Sequence, residues 1–508
     1  GWGLPSATHY FSYHPDETVV LRAAMGMNVF AGQLLPHYYD YGALQLYLVN
    51  FANSLVFVFG GVNIVIKDFA TDWPQWARMY EIGRGLTVAM GVGTVWATFA
   101  LGVRLWGRRV GLLAALTLAL MPLHAQHSHW LTVDVPATFW AVLSLVWTAR
   151  YATDDPRPLR AALWAGVFAG LAAATKYNLA LALLPLMLAS GFLRREPKCL
   201  VGGLLAATLA FLVACPGAVL EPNLFTAGLR FEAVHVNNHD DPTFKDTGNG
   251  FVFHIARNLD AGLGLPLLLL ALTAAGYAAY RRTRGDGLMA AFGLPYYILI
   301  GLAAVRYARY AIPLLPILAL WAGRLLADVS RLAAPMWRRA GLTVGVGVLL
   351  LTLCDALWLV GAMATTDPRD RALAWMQAHA PPPRRVGFAA MPWFGTPPLD
   401  PYFTLPKPGY WEHFSARGPW AIVYDNKDWD TELLRTARPE IVILSQYDWA
   451  DARRLNAPAA AQYFSALRQN YHVAAHFERE GLNGRRQNLP HDMTYPSPAI
   501  DIYQRNTE

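Results

Sequence analysis

Between residues 79 and 363 apolar residues run in long, nearly unbroken blocks, and after residue 366 they give way to short runs set among polar residues. Two kinds of element are therefore predicted in one chain. A membrane-spanning helix needs roughly 20 mostly apolar residues for a hydrocarbon core about 30 Å thick. Ten stretches meet or approach that length: 79–103, 109–124, 134–151, 162–176, 178–193, 199–217, 258–280, 288–305, 310–327 and 340–363. A further apolar stretch, 42–66, contains Asn50, Asn53, Gly60, Gly61 and Asn63, which suit a lipid-facing span poorly. It is predicted to lie in, or dip into, the outer interface. Past Thr365 and Thr366, the prolines Pro381, Pro382, Pro383, Pro392, Pro397 and Pro398 predict an extended surface linker or set of loops. β-rich runs follow at 420–424, 440–444, 471–477 and 499–503, with a helix-compatible stretch at 455–469, and together they predict a small α/β domain.

Composition and charge sharpen that picture. Of 508 residues 55% are hydrophobic and only 15% charged, where a soluble protein carries about a quarter. An ordinary cytosolic enzyme is thereby excluded. The formal charge of +7 does not form a nucleic-acid-binding patch, because the basic residues sit in alternate connectors. Arg104, Arg108 and Arg109 lie in one, Arg150, Arg157 and Arg160 in the next of that parity, then Arg194, Arg195 and Lys198, then Arg281, Arg282 and Arg284, then Arg324, Arg331, Arg338 and Arg339. Short loops rich in Lys and Arg stay cytoplasmic. This puts 125–133, 218–257, 306–309 and 366–508 on the outer face. The predicted division is 1–78 as an extracytoplasmic acidic-motif loop with interfacial helices, 79–363 as a transmembrane bundle and 366–508 as an extracytoplasmic α/β domain. Since the chain opens directly into an outer segment, an eleventh crossing is expected ahead of residue 1, for about 10 to 11 transmembrane helices. Three cysteines, all in or beside apolar segments, give no disulfide framework.

Ionisable residues gather on the predicted outer face where hydropathy gives no reason for them. His14-Pro15-Asp16-Glu17 precedes an apolar-periodic run. It reads as a helix start with carboxylates in a positive first turn, or as a carboxylate held beside the membrane to take a proton from an acceptor hydroxyl. Asp134, in Thr132-Val133-Asp134-Val135-Pro136, has the same two readings, and topology allows it to share a site with Asp16. Lys176 and the run Arg306-Tyr307-Ala308-Arg309-Tyr310 stand at outer helix ends. Such cations either snorkel to the headgroups or contact a lipid phosphate, for which arginine offers bidentate geometry. His124, His127, His129, His235, His239, Asp240 and Asp241 make a divalent metal conceivable, but none of their spacings matches a zinc signature, so no metal or other cofactor is assigned. The glycines of 83–93 match no phosphate loop and read as close helix packing. No Gly-x-Ser-x-Gly elbow or Cys-x-x-Cys pair occurs.

Taken together, these segments resemble the protein O-mannosyltransferase-like and ArnT-like glycosyltransferases (glycosyltransferase family 39) of the GT-C superfamily. The likeness is carried by Gly3-Leu4-Pro5 with His14-Pro15-Asp16-Glu17, by Leu35-Pro36-His37-Tyr38-Tyr39-Asp40-Tyr41 and by Arg108-Arg109-Val110-Gly111. It continues through Thr132-Val133-Asp134-Val135-Pro136, Ala174-Thr175-Lys176-Tyr177 and Arg309-Tyr310-Ala311-Ile312-Pro313, over about the first 330 residues. The resemblance implies a polytopic α-helical GT-C fold in a bacterial inner membrane, moving a sugar from a polyprenyl-phosphate donor to a glycan, lipid or protein acceptor on the periplasmic face, with inversion. It implies Asp16 as base with Glu17 and Asp134 beside it, Lys176, Arg306 and Arg309 as lipid-phosphate contacts, and His14, Tyr39, Asp40 and Tyr177 in the acceptor and donor pocket. The partners expected are the lipid donor, the bilayer and other membrane proteins, with no nucleic acid.

Two other classes compete. A non-catalytic membrane scaffold or accessory subunit would keep the fold and lose the site, yet Asp16, Asp134, Lys176 and Arg309 all remain. A transporter is weaker, because apart from Asp355 and a few helix ends the predicted spans lack the ionisable chain that an ion-coupled path needs.

Overall fold

The computed structural model describes residues 1–153, 156–401, 419–424, 428–479 and 489–506. A bundle of apolar helices occupies the middle of the chain, and a five-stranded sheet sits against one end of it. Among the described residues six stretches are long and apolar enough to cross a membrane: Phe69–Trp106, Pro158–Thr175, Pro197–Ala214, Arg284–Leu302, Ala308–Val329 and Pro335–His379. Leu44–Val58, Tyr177–Leu193 and Leu265–Arg281 are apolar but shorter.

The sequence-based segments and the observed helices differ where the backbone is interrupted. The predicted span 109–124 stops at Leu120, because Pro122 starts a new short helix, Pro122–His127. The predicted span 178–193 runs as a 3₁₀ turn, one α turn and a π turn in succession. The predicted span 258–280 is broken at Gly264, whose φ of 79° only glycine adopts readily. Conversely, the helix predicted from 79 begins at Phe69, where Asp68 caps it by accepting the N–H of Ala70, and its 38 residues extend ~57 Å. Helix 44–58, inside the stretch expected at the interface, has 15 residues and spans about 22 Å, less than a hydrocarbon core. Its asparagines turn inward: Asn50 Nδ2 donates to the carbonyls of Ala24 and Met27 at 2.9 and 3.1 Å. Phe51, Leu55 and Val58 stay exposed.

Small residues set the close helix contacts. A Cβ on Gly166 would lie 2.0 Å from the Gly203 carbonyl oxygen, so Pro158–Thr175 and Pro197–Ala214 pack backbone to backbone. Of the glycines of 83–93, Gly93 packs against Phe139 of helix Asp134–Ala152, Gly83 and Gly91 admit Leu131 and Ser128 of the loop before it, and Gly85 meets nothing within 4 Å.

In the C-terminal region the strands are β1 (Arg385–Phe388), β2 (Ala421–Val423), β3 (Ile441–Ser445), β4 (Tyr471–Phe477) and β5 (Ile500–Arg505), in the order β2-β1-β3-β5-β4. β1 pairs in parallel with β2 and β3, while β5 pairs antiparallel with β3 and β4. The expected surface linker is corrected here. Pro381, Pro382 and Pro383 are exposed as expected, but helix Pro368–His379 precedes them, strand β1 follows them, and Pro392, Pro397 and Pro398 are buried in loops packed against the sheet rather than in an extended spacer.

The three-part division also changes. Trp2, Phe11 and Tyr13 share one hydrophobic core with Val386, Phe388, Ile441, Ile443 and Ile500, so the N-terminal segment belongs to the sheet's core. Trp2 Nε1 donates to Asp367 at 2.9 Å, and the Tyr13 hydroxyl donates to Asp370. Arg369, wholly buried, pairs with Asp367 at 2.7 Å, donates to the carbonyls of Phe394 and Tyr495, and lies 3.8 Å from the Tyr13 ring centroid.

Candidate active site

Helix Pro15–Met25 starts as the sequence suggests, with proline in its first turn and Asp16 and Glu17 following. Successive helical residues point about 100° apart. That rotation separates the two carboxylates. Asp16 faces a cavity of about 320 Å³, and Glu17 faces the protein interior.

Segments from across the first 310 residues meet at the cavity. Asp134, first residue of helix Asp134–Ala152, lines it, and so does Lys176, which stands in extended backbone directly after helix Pro158–Thr175. Lys176 Nζ pairs with Asp134 Oδ1 at 2.5 Å. Arg309 comes from the 3₁₀ helix Ala308–Leu314 and pairs with Asp16 at 3.3 Å. The structure thus sets two carboxylate–cation pairs into one cavity from positions 16, 134, 176 and 309. The two cations also meet aromatic faces: Lys176 Nζ is 4.8 Å from the Tyr310 ring centroid and the Arg309 guanidinium 4.0 Å from that of Tyr307.

Electrostatics favour a charged Asp16. Burial is the largest influence and works to raise its carboxyl, but the groups around it, Arg309 foremost, together hold Asp16 below its ordinary range. Asp40 also lines the cavity, with burial raising its carboxyl. Tyr177 lines it and ties down the neighbouring loop, its hydroxyl donating to the carbonyls of Tyr39 and Tyr41, each at 2.9 Å.

Four expected site residues lie elsewhere. Glu17 is fully buried, held by Arg84 at 2.8 and 2.7 Å, by the Leu131 N–H at 2.7 Å and by Ser12, because its helix face turns inward. Arg306 is spent on a loop: its guanidinium donates to Thr247 Oγ1 at 2.8 Å and to the carbonyls of Gly248 and Ala303, away from the Asp16 cavity. Only Tyr307 and Ala308 separate it from Arg309, but the turn between them sends the two side chains into different cavities. Tyr39 packs against Gly217 and donates to Glu221 at 2.5 Å. His14 is wholly buried between Trp130 and Tyr495, at ring distances of 4.5 and 4.8 Å, and burial lowers its pKa to about 4, so it is neutral near pH 7. Among the described residues no three His, Cys, Asp or Glu gather into a group able to hold a metal ion.

Two residues were not anticipated. Glu232, on helix Pro222–Val236, lines the cavity beside His235, and burial raises its pKa to about 7. The amphipathic spacing of 222–236 was the available signal, since Leu224, Phe231 and Val234 are exposed while Leu229, Glu232 and Val236 face the cavity. Asp492 touches Arg309 from the sheet region, where nothing in the local sequence distinguishes it from any surface carboxylate.

Residues 83–219 match the sequence model of the family described as dolichyl-phosphate-mannose-protein mannosyltransferase. No curated protein matches the chain. Among solved structures, the apo oligosaccharyltransferase of Archaeoglobus fulgidus superposes over 97% of this chain and 85% of its own with a TM-score of 0.52 at 12% identity. Archaeal AglB from the same organism, solved with an inhibitory peptide and a dolichol-phosphate, superposes over 93% of this chain and 70% of its own, with a TM-score of 0.51 at 13% identity. ArnT from Cupriavidus metallidurans in the apo state aligns over 99% and 94%, at 14% identity and a TM-score of 0.49. The family match and the fold agree with the resemblance read from the sequence: this is a membrane chain with the GT-C glycosyltransferase fold.

Proposed function

We propose that the protein transfers a sugar from a polyprenyl-phosphate carrier to an acceptor hydroxyl at the outer face of a bacterial inner membrane, with inversion at the anomeric carbon. The observation that carries the reading is the single cavity holding Asp16, Asp134, Lys176 and Arg309. In this reading the Asp16 carboxylate takes the acceptor's proton as its oxygen attacks the anomeric carbon from the face opposite the phosphate. The bond from that carbon to the phosphate oxygen breaks, and the negative charge gathering on the departing phosphate is met by Arg309 and Lys176. Arg309 suits this role because its guanidinium borders the cavity, with Nη2 3.3 Å from Asp16 and Nη1 3.8 Å from Asp492 behind it. Asp134 keeps Lys176 aimed, and Tyr177 with Asp40 forms the wall at which the acceptor enters.

The A. fulgidus enzyme with the same fold has been solved with a dolichol-phosphate, which supports a lipid-phosphate donor here. The alternating basic connectors support ten or eleven crossings with the sheet domain outside. The test is sugar transfer by the purified protein from a radiolabelled polyprenyl-phosphate sugar, comparing wild type with Asp16→Asn. Equal transfer by both removes Asp16 from the reaction.

A further inference from the structure

The sheet region reaches into the membrane bundle through residues 489–495. Gln126 Nε2 donates to the Met493 carbonyl at 3.1 Å, the His491 ring lies 6.0 Å from that of Tyr307, and Tyr495 stands edge-on to His14. Between them Asp492 is wholly buried. Its Oδ1 accepts the Ala308 N–H at 3.0 Å and its Oδ2 the Arg309 N–H at 2.9 Å.

Those two N–H groups open the 3₁₀ helix Ala308–Leu314, whose own N-cap residue, Tyr307, contributes no side-chain hydrogen bond. First-turn N–H groups have no partner inside their helix and are costly to bury unpaired. Asp492 satisfies them from 183 residues away. The same carboxylate also stands 3.8 Å from Arg309 Nη1. Asp492 does not border the Asp16 cavity, so it holds Arg309 from behind while the guanidinium faces the ligand space from in front.

We propose that Asp492 is a positioning residue for Arg309, and that the sheet domain thereby completes the phosphate-binding half of the site. The inference rests on the reading of the cavity given above. With Asp492 neutralised, Arg309 keeps, among the described residues, only Asp16 as a close carboxylate partner and swings toward it, which removes a cation from the phosphate and a free carboxylate from the acceptor at once. A scaffold domain serving only to recruit acceptor would have no such effect on phosphate affinity.

The experiment titrates undecaprenyl phosphate into the full-length protein in detergent, for wild type, Arg309→Ala, Asp492→Asn and the double variant. Losing a charge-assisted contact predicts about tenfold weaker binding in each single variant. Because Asp492 acts through Arg309, the double variant is expected to match Arg309→Ala alone. Wild-type affinity in Asp492→Asn overturns the proposal, and so does a loss in the double variant equal to the product of the two single losses, which marks an independent structural effect. Unchanged affinity in Arg309→Ala overturns instead the reading of the cavity as a phosphate site. If Asp492→Asn does not fold, Gln126→Ala, which frees the Met493 carbonyl, decides the matter. Weakened binding that disappears in the Arg309→Ala background supports the role, and unchanged binding overturns it.

Discussion

Asp16 and Glu17 are sequence neighbours, and each meets an arginine, yet their surroundings differ in every respect that separates a reactive site from a structural knot. Glu17 is sealed: both oxygens are engaged by Arg84, one also by the Leu131 N–H and the other by Ser12, and no part of it reaches solvent. Asp16 is 22% exposed, faces Arg309 at 3.3 Å, and opens onto a cavity where Glu232 makes no hydrogen bond or ion pair with a described residue. A carboxylate with all its acceptor positions filled by its own protein has no lone pair left for a substrate. Incomplete satisfaction at a cavity wall, more than the presence of charge, marks where chemistry is proposed.

That contrast can be broken by experiment. The largest expected effect falls on the cavity side: Asp16→Asn lowers the transfer rate by about 10²–10⁴-fold, typical of a lost general base, with the melting temperature unchanged. A parallel fall in melting temperature would make Asp16 a second structural pair. On the other side, Glu17→Gln leaves Arg84 buried without its partner and costs about 3–5 kcal/mol of stability, read as loss of folded protein on size exclusion and in thermal unfolding. Normal stability with lost transfer would move Glu17 into the site.

The pH dependence of that second variant carries its own sign. Burial raises the Glu17 carboxyl, but Arg84 outweighs it and the folded value lies below the ordinary one. The stabilisation is therefore complete above the unfolded pKa, near 4.3, and is lost as pH falls through the lower folded value. The difference in melting temperature between wild type and Glu17→Gln is expected to be constant from neutral pH to about 5 and to shrink below about 4. A smaller effect belongs to Tyr177→Phe, which removes donors to the Tyr39 and Tyr41 carbonyls and lowers transfer by about tenfold through a loosened loop, measured as kcat/KM.

The smallest effect has the opposite sign. The Glu232 carboxyl is raised to about 7, mainly by burial and further by Asp40 and Asp16, so its folded state prefers the proton. Charging it costs stability between the unfolded pKa, near 4.3, and the folded value. Glu232→Gln is expected to melt slightly higher than wild type above pH 7 and identically below pH 4, in contrast to Glu17→Gln, which melts lower. Thermal scans at the two pH values distinguish them.

How much of this was legible beforehand differs by residue. Asp16, Asp134, Lys176 and Arg309 stood out because charge is rare among so many apolar residues, and the alternation of basic connectors put them at one face. Glu17, one residue from Asp16, and Arg306, three from Arg309, carried the same signal and went to other surroundings. Composition cannot tell a charge that is paired inside the protein from one that faces a ligand. Asp492 gave no signal, since its partner N–H groups lie 184 and 183 residues away. Strands β3, β4 and β5 were readable as β-rich runs, whereas β1 was hidden among prolines taken for a linker.

What the sequence determined by itself was the solvent of each region and the supply of charges, because hydropathy and loop charge act locally and one residue at a time. Which carboxylate opens to the cavity, which arginine borders it, and that the sheet domain grips the bundle at Asp492 were decided only by the tertiary structure. Those outcomes depend on helix rotation of about 100° per residue and on partners brought from far along the chain, and neither is encoded in any single segment.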